Sequence, residues 1–214
     1  MRAPSRRPQY PGHDARRDGR GPRGTRGESS RGTHSVVLVE GLSDRLALEA
    51  LAARRGRDLG AEGIAVVDIG GAKNMSSALI RFGPRGMGLV VAGLYDAAEE
   101  SDVRRATERA GLGAELSRAD LEGLGFYACV EDLEDELIRA LGADTVLGIV
   151  EARGELGRFR TLQKQPEWRG RPVEQQLRRF LGNASRKIRY AATMVEALAD
   201  ASVPRPLAAV LTHA

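Results

Sequence analysis

Residues 36–45 read V-V-L-V-E-G-L-S-D-R. A β-branched apolar run of this kind suits the centre of a parallel sheet, where a strand is buried on both faces. The run ends in a carboxylate, Glu40, followed at once by Gly41, with a second carboxylate at Asp44. L-A-L-E-A-L-A-A-R-R (46–55) then has helical composition and stops at Gly56. The order is buried strand, acid, glycine, helix, and the chain repeats much of it.

I-A-V-V-D-I (64–69) reads as a second strand closed by Gly70 and Gly71, and M-S-S-A-L-I-R-F (75–82) as a short helix stopped by Gly83-Pro84. G-L-V-V-A-G-L-Y-D (88–96) is a third strand that again ends in a carboxylate, and a helix over 99–110 ends at Gly111. G-F-Y-A-C-V (125–130) is a fourth strand, followed by the acidic helix start E-D-L-E-D-E-L. Alternating strands and helices predict an α/β fold, Rossmann-like, with a mainly parallel four-stranded sheet flanked by helices over residues 35–142. Residues 143–214 read as a helical C-terminal region, with apolar spacing of helical period at 173–181 and 187–198.

Charge is unevenly spread. Residues 1–34 hold nine arginines and three acids, 35–150 hold twelve basic and twenty acidic residues, and 151–214 hold twelve and six, giving +6, −8 and +6. An acidic middle between basic flanks suits a metal-dependent site that meets a polyanion; a solvated tail with ordinary surface charge is the plainer alternative. Residues 1–34 are rich in Arg, Gly, Pro and Ser and nearly devoid of large aliphatics, so a disordered basic tail is expected there. No apolar run approaches the roughly 20 residues of a membrane helix, and no secretory h-region opens the chain. One cysteine, Cys129, excludes an internal disulfide and a multi-cysteine metal site. It reads as a small core residue in a cytoplasmic protein. His13, His34 and His213 lack ligand spacing and read as surface residues, and no nucleophile arrangement or P-loop pattern is present. Trp168, in Q-P-E-W-R-G-R-P, reads as packed under a loop, with stacking on a base as the alternative.

In open α/β sheets ligands bind beyond the carboxyl ends of the strands. Glu40, Asp96 and the acids of 131–136 all fall at such ends, so residues far apart in sequence converge on one edge. Hard divalent cations such as Mg²⁺ take carboxylate oxygens, waters and substrate phosphates. Glu40 at a strand end and Asp44 in the first helical turn can face one volume. Gly41 between them is expected to let the backbone turn sharply and a phosphate approach closely. Alternatively, Glu40 only complements the dipole of the helix that follows.

V-L-V-E-G-L-S-D (37–44), V-D-I-G-G-A-K-N (67–74), L-Y-D-A-A-E-E (94–100) and D-L-E-D (132–135), in that order, resemble the topoisomerase–primase (TOPRIM) domain, in the branch found in OLD-family (overcoming lysogenization defect) nucleases. The resemblance spans roughly residues 35–140. It implies phosphodiester chemistry on DNA or RNA dependent on Mg²⁺ or Mn²⁺, by a nuclease or a related nucleotidyl transferase. It implies Glu40, Asp96 and Lys187 as catalytic residues, and Glu40, Asp44, Asp96, Glu99, Glu100 and Glu134 around the metal. Gly41, Lys73, Arg186 and Arg189 are the expected phosphate contacts. The family's Asp-x-Asp is broken, because Ala98 stands where the second Asp belongs; Glu99 or Glu100 is expected to supply that oxygen. Only three lysines stand against thirty arginines, which singles out Lys187, with a solvated or capping side chain as the alternative. OLD nucleases also carry an ATPase domain, which implies a separate ATPase protein as a partner of this chain. The competing reading is a TOPRIM-like module without catalysis that binds nucleic acid or such an ATPase.

Overall fold

The computed structural model describes residues 32–214. The basic tail expected over 1–34, and His13 within it, lie almost wholly outside the described residues. The chain opens with β1 (Ser35–Val39), α1 (Leu42–Arg54), β2 (Ile64–Asp68), a 3-10 turn (Ala72–Asn74) and α2 (Met75–Phe82). It continues through β3 (Val90–Asp96), a second 3-10 turn (Ala97–Glu99), α3 (Glu100–Ala110), α4 (Arg118–Gly123), β4 (Phe126–Cys129) and α5 (Leu133–Leu141). Helices α6 (Ala143–Ala152), α7 (Leu156–Gln163), α8 (Val173–Leu181), α9 (Ala184–Ala197) and α10 (Arg205–His213) complete it.

The four strands form one all-parallel sheet in the order β2-β1-β3-β4. All five β1 residues are buried, as their β-branched run demands. Alternate residues feed two cores. Val37 and Val39 join Ala92, Leu94 and Cys129 on one face, under α1 and the C-terminal helices. Val36 and Leu38 join Val91, Tyr95 and Phe126 on the other, under α2 and α3. Helix α1 therefore covers one face on the way to β2, and α2 covers the opposite face on the way back to β3. The direction of strand addition reverses between β1 and β3, which is the position where a crevice opens in such sheets.

Helices α6 to α10 do not form a core of their own. Leu177, Phe180, Tyr190, Met194, Val195, Leu207 and Val210 share one buried cluster with Val37, Val39 and Leu48. The boundary at 142 marks a change of secondary structure and not a break in packing.

The strands differ from the sequence reading by one or two residues at their ends. Helix α1 begins four residues earlier than read, at Leu42 with Gly41 as its N-cap. His213 is half-buried and meets Tyr127 edge-on at 6.3 Å between ring centroids, so it is not a plain surface residue.

Candidate functional site: a carboxylate pocket at the strand ends

Strands β1 and β3 are neighbours, so the residues at their ends meet. The Asp96 N–H donates to Glu40 Oε1 at 3.3 Å. Around this contact lies a pocket of about 240 Å³ lined by Glu40, Gly41, Asp44, Gly71, Asp96, Cys129, Asp132, Glu134 and Lys187, among others. Five carboxylates and one ammonium, drawn from residues 40 to 187, share this volume.

Burial and mutual repulsion dominate its electrostatics. The Glu40 carboxyl is pushed up to about 7, first by desolvation and then by the adjoining Glu99 carboxyl. Asp96 is pushed up to about 7 by burial, then by Glu40 and Asp132. Asp44 is raised to about 6 by burial, although the Gly41 N–H, donating to its Oδ2 at 3.0 Å, pulls the other way. Lys187 Nζ lies 2.6 Å from Glu134 Oε2, on a carboxylate whose side chain is only 6% exposed. Burial opposes the Lys187 charge, yet Glu134 holds its pKa above the ordinary lysine value.

Several expected contributors are turned elsewhere. Glu100 is clamped between Arg104 and Arg118 on the surface of α3, so it is not available as a metal ligand. Its neighbour Glu99 reaches Glu40 instead, because the 3-10 turn rotates the two side chains apart. Ala98 is exposed on that same turn. Arg186 lies over the Phe180 ring at 4.0 Å and pairs with Glu155 at 3.5 Å, and Arg189 also reaches Glu155, at 3.4 Å. Both therefore face α7, while Lys187 faces α5, as the helical turn requires. Lys73 is exposed on the first 3-10 turn and does not line the pocket.

Gly41 lines the pocket, but not for the conformational reason expected. Its backbone is extended, with φ −147° and ψ 176°, which any residue adopts. The position that requires glycine is Gly71, at φ +106°, whose added Cβ would stand in open space. Its N–H donates to the Glu40 carbonyl at 2.8 Å, which ties the loop after β2 to the site.

The sequence reading placed Asp132 among the acids at the strand ends but gave it no role of its own. It caps α5, with Oδ1 accepting the Asp135 N–H at 2.8 Å, and its other oxygen accepts Arg178 Nε at 2.9 Å. Its place three residues after β4 and two before Glu134 was the available signal.

The donor set suits a hard divalent cation. It is all oxygen, Glu99 Oε2 is buried without a hydrogen-bond donor, and the carboxyls at the strand ends repel one another. Among the described residues, however, no three His, Cys, Asp or Glu side chains already converge on one point that could hold an ion. Gly41, Arg178 and Lys187 each occupy a carboxylate, so gathering three around one ion needs side-chain rotation.

Comparison with known proteins bears on this geometry. Residues 33–97 match the family model described as "Overcoming lysogenization defect protein-like, TOPRIM domain". Residues 33–97 are thus similar to an OLD-like TOPRIM domain. The match takes in β1, β2 and β3, and with them Glu40, Asp44 and Asp96. The fold as a whole is similar to that of the C-terminal region of the Xanthomonas campestris pv. campestris OLD protein, with a TM-score of 0.64, 21% identity, and coverage of 85% of this chain and 91% of that one. It is also similar to the C-terminal region of the Burkholderia pseudomallei OLD protein, with a TM-score of 0.61, 17% identity, and coverage of 85% and 96%. No curated protein matches the sequence. Among the described residues, no helix is long and apolar enough to cross a membrane.

Proposed function

We propose that this TOPRIM module performs divalent-metal-dependent phosphodiester chemistry on DNA or RNA, as a nuclease. The observation that carries the reading is the contact between Glu40 and Asp96 at adjacent strand ends, with Asp44, Asp132, Glu134 and Lys187 in the same pocket. A TOPRIM domain supports a module that acts on nucleic acid, and TOPRIM domains generally bind divalent metals.

Glu40, Asp96 and Glu99 would hold the ion, Mg²⁺ or Mn²⁺, with Asp44 and Asp132 completing the oxygen set directly or through water. When bound, the ion supplies charge neutralisation at the phosphate and a more acidic water. The protein's own contribution is positional. Strands β1 and β3 fix Glu40 and Asp96, and the tie from Gly71 to the Glu40 carbonyl keeps the loop after β2 close. Glu134 keeps Lys187 protonated, and the ammonium balances the charge that grows on a scissile phosphate. A separate ATPase protein is a further proposed partner.

The exposed Ala98 favours a second reading, a module that binds nucleic acid or a partner ATPase without cutting, since one expected oxygen is absent from the turn. Cleavage of supercoiled plasmid and labelled single strands in Mg²⁺, Mn²⁺ or EDTA separates the two. We expect cutting that EDTA abolishes and that falls about 100-fold or more in Glu40→Gln and Asp96→Asn. Cutting retained in both variants would deny this site a part in catalysis, and cutting absent from the parent protein would favour the non-catalytic module.

A further inference from the structure

The carboxylate pocket does not end at Asp132. The same residue lines an adjoining groove of about 500 Å³, walled by Glu131, Trp168, Arg171, Arg178 and Arg179 among others. We propose that this groove is a subsite for the nucleic-acid strand beside the reacting phosphate, with a base stacked on Trp168 and backbone phosphates on Arg171 and Arg179. The proposal rests on the function proposed above.

Trp168 is half-buried and belongs to neither of the two hydrophobic cores, which argues against simple packing under a loop. Its turn is held by protein contacts. Buried Gln176 donates from Nε2 to the Trp168 carbonyl at 2.8 Å, and Gln163 Nε2 donates to Gln176 Oε1 at 2.6 Å. Arg171 lies over the indole at 5.1 Å and is itself fixed by donating from Nε to the Glu167 carbonyl at 2.6 Å. An ordered indole with a guanidinium over its ring joins an aromatic for stacking to a cation for a phosphate contact, both of which tolerate any sequence.

The groove also carries acids, and their pairing decides which cations remain. Arg178 is committed to Glu131 and Asp132 at 3.0 and 2.9 Å, and Asp135 is paired with Arg139 at 2.7 Å. Arg171 and Arg179 are exposed and have no carboxylate partner among the described residues. Glu174 is the one groove acid without a cation partner among them, so two uncommitted cations face one uncommitted acid. Arg178, bridging Asp132 and Glu131, marks the passage between the groove and the carboxylate pocket.

Trp168 is the only tryptophan of the chain, so its emission reports on this groove alone. The test titrates full-length protein with a short single-stranded oligonucleotide in EDTA, so that binding is read without cleavage. We expect a saturable change in emission. Affinity should fall about 5- to 150-fold in Trp168→Ala and much less in Trp168→Phe. Arg171→Ala and Arg179→Ala should each reduce the salt dependence of binding. Oligonucleotide binding with unchanged emission, and unchanged affinity in Trp168→Ala, would overturn the subsite and leave the cleavage reading standing. An absence of binding would overturn it also. Binding with the emission change but no cleavage by any preparation would support the subsite and reject the nuclease.

Discussion

Lys187 Nζ lies 2.6 Å from Glu134 Oε2, which joins α9 to the start of α5 at the carboxyl edge of the sheet. One partner is almost fully buried and the other is about one-third exposed, with side-chain exposures of 6% and 32%. Removing the lysine alone leaves the carboxylate without its cation. Lys187→Met should therefore destabilise the fold by about 1–3 kcal/mol, and the double variant Lys187→Met with Glu134→Gln should recover part of that loss. Urea unfolding of the four proteins measures the coupling, and purely additive losses would refute it.

The repelling carboxyls make a second prediction. Without a bound ion, Asp96 and Glu40 titrate near 7 in the fold, against ordinary values of 3.8 and 4.5. Folded protein then holds protons that unfolded chain has lost, so this stabilisation is complete below the ordinary values and declines as pH rises towards 7. Asp96→Asn should flatten stability over that interval. At neutral pH, saturating Mg²⁺ or Mn²⁺ should raise the thermal midpoint by several degrees, EDTA should reverse the shift, and Asp96→Asn should abolish it.

Glu155 predicts the opposite pH behaviour. Its side chain is 4% exposed and meets Arg158, Arg186 and Arg189, with the Tyr190 hydroxyl donating to its Oε2 at 2.8 Å. Burial pushes its pKa up, but Tyr190 and the three guanidinium groups outweigh burial and hold it at about 2. Stability from this group is present above the ordinary glutamate value and is lost as pH falls towards 2. Glu155→Gln should weaken the protein by about 1–3 kcal/mol at pH 7 and by much less at pH 2.5. Because the cluster fixes the rotation of α9, the variant should also loosen the contact between Lys187 and Glu134.

The two pocket glycines should respond to serine with opposite signs. Gly41 is an N-cap in extended backbone, where a serine hydroxyl can accept a helix N–H, so Gly41→Ser should be neutral or stabilising by a few tenths of a kcal/mol. Gly71 at φ +106° cannot hold a side chain without strain, so Gly71→Ser should cost about 1–3 kcal/mol. Thermal unfolding of the two variants side by side decides the matter.

The strands and their order along the chain were legible because a buried parallel strand writes itself as a short β-branched run closed by glycine. The convergence of Glu40 and Asp96 followed from the same fact. The phase of α9 was not legible. The packing of Tyr190 and Met194 into the core, together with the Glu155 cluster, turns Lys187 towards α5 and Arg186 and Arg189 towards Glu155. The choice between Glu99 and Glu100 depended on a single 3-10 turn, a local winding that composition does not encode. Asp132 was hidden because an acid directly before a helix is the commonest of capping residues, and here it caps α5 while also lining the pocket.

The shared core beneath α9 limits how this protein can be divided. A fragment ending at residue 142 would keep every strand and all the pocket carboxylates. It would also strip α9 from α1 and uncover Val37, Val39, Ala47 and Leu48, residues now less than 1% exposed. Such a fragment would present a greasy sheet face to solvent and lose the lysine as well. The C-terminal helices are therefore not an accessory that recombination could add or discard, and sheet and cap must be inherited together.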